Sequence, residues 1–96
     1  MQVLVAYDVA TEKEDGKRRL RKVAQVCQNF GQRVQKSVFE CLVDQAQYEQ
    51  LIRDLLKCID EGEDNLRIYR LREPKEQFCR HFGVNPSVDF KDPLLI

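Results

Sequence analysis

A chain of 96 residues, 43% hydrophobic and 33% charged, suits one compact domain that buries a modest fraction of its surface and gains from oligomerising. A formal net charge of zero gives the molecule as a whole no pull toward a polyanion, and no apolar run approaches membrane-spanning length. The cations are unevenly placed, however: Lys17, Arg18, Arg19, Arg21, Lys22, Arg33 and Lys36 occupy a stretch without Asp or Glu, whereas acids outnumber bases over residues 41–96, so one face is expected to be positive.

The opening MQVLVAYD has no basic leader, longer apolar core or small-residue cleavage site, so it reads as a strand and not as a signal peptide. Val3, Val5 and Tyr7 take one face and Leu4 and Ala6 the other, a pattern that suits a central strand. In the loop that follows, Thr11 or Asp15 is expected to cap a helix running to about Phe30. Leu20, Val23, Ala24, Cys27 and Phe30 recur at helical spacing, with Gly31 as terminator, and Arg18, Arg19, Arg21 and Lys22 fall largely outside that stripe. Residues 33–43, rich in β-branched and aromatic side chains and free of Gly and Pro, read on their own as one long strand. Asp44, with Gln47 as capping-box partner, starts a second helix whose stripe is Tyr48, Leu51, Ile52, Leu55, Leu56 and Ile59, ended by Gly62. Residues 66–71 read as a strand whose alternation Arg70 breaks, which suggests an edge or a bulge. A helical turn is expected within KEQFCRHFG after Pro74, and a short strand within residues 87–90, fenced by Pro86 and Pro93 and able to extend another subunit's sheet. The order is βαβαβ, or βαββαβ if residues 33–43 fold back on themselves. The second is a ferredoxin-like α+β sandwich, with both helices on one face of an antiparallel sheet.

Chemistry-bearing residues are few. Asp8 closes the first strand beside a basic helix; hard cations such as Mg²⁺ or Mn²⁺ take oxygen ligands and need few protein carboxylates when phosphate supplies the rest. On spacing alone an Asp in that place more commonly makes a turn or a cap, but a two-fold axis beside the strand would pair two such carboxylates. The run KRRLRK suits phosphate neutralisation without base readout, and equally a solvated helix face. Arg33, Lys36 and Phe39 lie downstream, where an exposed ring would stack on a base; a Phe is more often core. Cys79 and His81 have no second pair at zinc spacing, and no P-loop, dinucleotide fingerprint or hydrolase elbow occurs. The widely spaced cysteines Cys27, Cys41, Cys58 and Cys79 read as free thiols in a reducing, cytoplasmic compartment.

The segments VLVAYDV, RRLRKVA and, above all, RVQKSVFEC, in this order and near these spacings, resemble the CRISPR-associated protein two family over residues 1 to about 72, with a looser match in the tail. The resemblance implies a ferredoxin-like βαββαβ homodimer with a hairpin turn near Lys36. It also implies a single domain 1–96, with core 1–72 and a C-terminal dimerisation segment 73–96 whose last strand joins the partner's sheet. It further implies that Asp8 faces its symmetry mate and binds Mg²⁺, and that Tyr7, Arg18 or Arg19, Arg33 and Phe39 contact nucleic acid. The activity it implies is cleavage of RNA or double-stranded DNA by metal-activated water, in a protein that partners the CRISPR spacer integrase. The alternative is a non-catalytic scaffold that bridges integrase subunits and clamps spacer DNA; a toxin-like ribonuclease resembling virulence-associated protein D is more remote.

Overall fold

A computed structural model describes residues 1–84. In chain order it contains β1 (Gln2–Asp8), α1 (Glu14–Gln28), β2 (Gly31–Gln35), β3 (Val38–Leu42), α2 (Gln45–Cys58), β4 (Asn65–Leu71) and the short α3 (Lys75–Phe78). The sheet order is β2-β3-β1-β4 with every pairing antiparallel, and together with the βαββαβ connectivity this is the ferredoxin-like α+β arrangement. β1 is central, as its two-sided apolar pattern requires.

Residues 33–43 form a hairpin and not a single strand. β2 and β3 meet at Lys36 and Ser37, and the register slips between Arg33 and Gln35. That irregularity adds twist and turns the chain without Gly or Pro, which is why composition concealed it. β4 is an edge strand in unbroken register from Asn65 to Leu71, so Arg70 marks the margin of the sheet and no bulge.

Alternation along β1 and β3 sends Val3, Val5, Tyr7, Phe39 and Cys41 toward the helices, where they close on Val23 and Cys27 of α1 and Leu51 and Leu55 of α2. Each fully buried aliphatic or aromatic side chain contributes about 1.5–3 kcal/mol. The opposite face carries Leu4 and Ala6 beside Val38, Glu40, Arg67 and Tyr69. α3 reaches onto that face: Lys75 Nζ binds Glu40 Oε1 at 2.9 Å, and Cys79 Sγ lies 3.6 Å from Glu40 Oε2.

The two helix starts differ. Asp44 and Gln47 form the full capping box at α2, with Gln47 N–H donating to Asp44 Oδ1 at 2.8 Å and Asp44 N–H donating to Gln47 Oε1 at 2.9 Å. At α1 neither Thr11 nor Asp15 caps. Lys13 holds the N-cap position without a side-chain bond, and Glu14 and Asp15 favour the helix dipole from inside the first turn. α2 ends at Cys58, with Ile59 as its cap and Gly62 in the turn beyond. Gly31 is required by close approach, since a Cβ there would lie 2.1 Å from the Glu40 carbonyl oxygen. The strand expected within residues 87–90 lies outside the described residues.

Candidate functional site

β1 delivers Asp8 to its exposed end. Strand alternation separates it from its neighbour: Tyr7 turns into the helix side and Asp8 toward the other. Two segments frame the carboxylate. On one side the β2–β3 turn closes on the strand, Tyr7 N–H donating to the Ser37 carbonyl at 3.0 Å, which brings the exposed Lys36 to this end of the sheet. On the other, β4 begins with Asn65 directly opposite Asp8.

The remaining residues picked out from the sequence do not converge on Asp8. Tyr7, Phe39 and Arg33 form a stack on the helix side: the Tyr7 and Phe39 rings are 6.3 Å apart, and the Arg33 guanidinium lies 5.1 Å from the Phe39 centroid. Phe39 has 0% exposure and Tyr7 5%, so neither ring offers a face to a base in this chain. Phe39 as a stacking platform is therefore corrected: the ring is core, pinned between Tyr7 and Arg33 by the inward pleat of β3. Burial pushes the Tyr7 hydroxyl up to about 12, opposed by the neighbouring Arg33, which also hydrogen-bonds it. Among the arginines, the half-buried Arg33 belongs to this stack.

The helix arginines divide. Arg18 is exposed on α1, beside Lys17, Arg21 and Lys22. Arg19 turns the other way and is held by acids: Nε donates to Asp64 Oδ2 at 2.8 Å, Nη2 to Asp64 Oδ1 at 3.2 Å and Nη1 to Asp15 Oδ2 at 3.3 Å, with Glu63 3.6 Å from Nη2. Asp64 was missed in the sequence. Its carboxylate also accepts the amides of Ala10 at 3.1 Å and Asp60 at 2.9 Å, and the Arg19 bond holds its pKa below the ordinary value.

Among the described residues no three His, Cys, Asp or Glu side chains converge as a metal-ligand group, and Asp8 is the carboxylate that stands at the end of β1. A carboxylate is the right donor for Mg²⁺ or Mn²⁺, and such an ion takes one or two of them with water and phosphate completing its shell. Asp8 supplies the donor chemistry that such an ion takes.

Comparison with known proteins shows the family and the fold. Residues 1–78 match the family model described as CRISPR associated protein Cas2. The chain is 62% identical over 96 residues to a protein of Moorella thermoacetica named CRISPR-associated endoribonuclease Cas2 1, covering 100% of both. It is 53% identical over 95 residues to the CRISPR-associated endonuclease Cas2 of Halalkalibacterium halodurans, covering 99% of each. The crystal structure of Streptococcus pyogenes Cas2 at pH 6.5 superposes with a TM-score of 0.78 at 44% identity, over 86% of this chain and 100% of that one.

Proposed function

The chain belongs to the CRISPR associated protein Cas2 family, and from that premise we propose that it is a divalent-metal-dependent endonuclease acting on RNA or double-stranded DNA as a homodimer. The observation that carries this reading is the placement of Asp8 at the exposed end of the central strand; a two-fold axis beside that end would pair it with the Asp8 of a second copy. The pair holds Mg²⁺, with Mn²⁺ as a substitute. When bound, the ion acidifies water for attack on phosphorus and neutralises charge on the phosphate. Lys36, at the turn beside the strand end, and the exposed cations of α1, including Arg18, attract and align the sugar–phosphate backbone. Arg33, braced by Phe39 and Tyr7, adds a guanidinium whose position is fixed by packing. Such contacts carry no base preference.

The test is cleavage of labelled RNA and duplex DNA by wild-type and Asp8→Asn protein, with Mg²⁺ or Mn²⁺ and then with chelator. Cutting that needs metal and is lost in the variant supports the reading; cutting that survives both changes overturns it.

A second reading is favoured by the exposure of Lys17, Arg18, Arg21 and Lys22 together on α1, a run of cations that suits a phosphate backbone by itself. A duplex bound on that helix face needs nothing from Asp8, so the dimer also serves as a scaffold that bridges subunits of the CRISPR spacer integrase and clamps spacer DNA. Under this reading Asp8→Asn leaves spacer acquisition intact. Both roles place the protein in the cytoplasm; no helix among the described residues is long and apolar enough to cross a membrane.

A further inference from the structure

The Asp64 carboxylate is the most completely enclosed charged group in the described ion pairs, its side chain having 0% exposure against 15% for its partner Arg19. Forty-five residues separate the pair in sequence, yet Arg19 grips both carboxylate oxygens. The remaining capacity of those oxygens goes to main chain: the Ala10 amide, two residues beyond Asp8, and the Asp60 amide at the end of α2. Asp64 is also followed directly by Asn65, the residue paired with Asp8 across the sheet. The β1–α1 connection also packs closely on Gly16, where a Cβ would stand 1.8 Å from the Ala10 carbonyl oxygen. One carboxylate thus anchors both backbone segments that define where Asp8 stands.

The same geometry removes Arg19 from nucleic-acid binding. Its fork faces Asp64, Asp15 and Glu63, so the local charge is negative, and a phosphate would have to displace a bidentate pair and leave Asp64 enclosed and uncompensated. Arg18, one residue earlier, has the opposite situation, exposed among other cations.

We propose that Arg19 and Asp64 are positioning residues, a latch that holds the β1–α1 connection and thereby the Asp8 carboxylate, and that Arg19 makes no phosphate contact. The proposal rests on the reading of Asp8 as the metal-holding residue.

The test compares Asp64→Asn, Arg19→Lys and Arg19→Gln with Arg18→Gln and Asp8→Asn. Three readouts are taken: amide exchange at Ala10 by NMR, the Mn²⁺ concentration giving half-maximal cleavage of labelled RNA or duplex, and the salt dependence of duplex binding. A misplaced ligand raises the Mn²⁺ requirement of fully folded protein, whereas a smaller folded fraction raises it only by the inverse of that fraction, which urea unfolding of each variant measures separately. The latch predicts Ala10 exchange faster by about tenfold or more and a Mn²⁺ requirement raised by about tenfold in the Asp64 and Arg19 variants, in line with the sensitivity of catalysis to small displacements. It also predicts an unchanged salt slope for all three, with Arg18→Gln lowering the slope by about one ion. Arg19→Lys retains the charge and the fold, so its failure to restore Ala10 protection isolates the lost fork. A salt slope lowered in Arg19→Gln as in Arg18→Gln, with Ala10 exchange unaltered, overturns the proposal. If Asp8→Asn cuts like wild type, the metal-site reading is what fails, and Ala10 exchange alone then decides whether the latch exists.

Discussion

Phe39 shows how a residue's context decides between two functions that its chemistry allows equally. A Phe beside Arg33 and Lys36 suits base stacking, but β3 turns the ring inward to 0% exposure between Tyr7 and Arg33. Truncation should therefore act on stability: Phe39→Ala is expected to cost about 3–5 kcal/mol in urea unfolding, and Phe39→Leu much less. A stacking residue would reverse this, losing affinity at little cost in stability. Burial likewise raises the thiols of Cys27 and Cys41, to about 12 and about 11, so both should resist alkylation in the native protein and react only on unfolding. Asp64 gives a pH signature. Its folded pKa is depressed by Arg19 below the ordinary 3.8, so its contribution is complete above that value and is lost as pH falls through the lower folded pKa. The stability gap between wild type and Asp64→Asn should be constant from neutrality to about pH 5 and narrow progressively in stronger acid, as followed by urea unfolding at stepped pH. Asp8 was legible because a strand pattern ends on it. Asp64 was not, because its role depends on a partner 45 residues away, and in sequence it is one acid in a run with Glu61 and Glu63.

Among the elements, the helices were legible in proportion to their local signals. α2 has the reciprocal cap as read and a narrower stripe, Leu51 and Leu55 buried with Tyr48 packed beside them while Leu56 is exposed; Asp44→Ala should cost about 1 kcal/mol. α1 has the stripe without the cap, because Lys13 occupies a position whose extended backbone, φ −115° and ψ 161°, would suit a serine. Lys13→Ser is accordingly expected to stabilise by about 0.5–1 kcal/mol, seen as a higher urea midpoint at unchanged slope. The hairpin in residues 33–43 was illegible from composition because its turn, Lys36–Ser37, uses neither Gly nor Pro and the register slip is a tertiary adjustment. Only the resemblance of RVQKSVFEC to a known family supplied it. Gly31, read as a helix terminator, keeps its place for another reason, the 2.1 Å approach of the Glu40 carbonyl oxygen to any Cβ.

At the scale of the whole molecule, the sheet is asymmetric. One face is sealed by α1 and α2, while the other presents Leu4, Val38, Leu42 and Tyr69, with α3 alone reaching onto it among the described residues, and Leu42 is 67% exposed. A small chain with such a face gains from a second copy, and under the proposed function the same step would bring two Asp8 carboxylates within reach of one ion. Sedimentation should show a dimer that Tyr69→Glu or Leu42→Glu shifts toward monomer, with cleavage falling in parallel. The fold was readable because both helix stripes demand a single common partner surface; the homodimer came only from the family resemblance, because no pattern within one chain specifies a second copy. The paired site is tested most directly by unfolding wild-type and Asp8→Asn protein together, refolding them in varied ratio and measuring Mn²⁺-dependent cleavage at constant total protein. If both carboxylates of a dimer are required, activity falls as the square of the wild-type fraction. A linear fall, each protomer cutting alone, or cutting that persists with Asp8→Asn alone, would contradict the account.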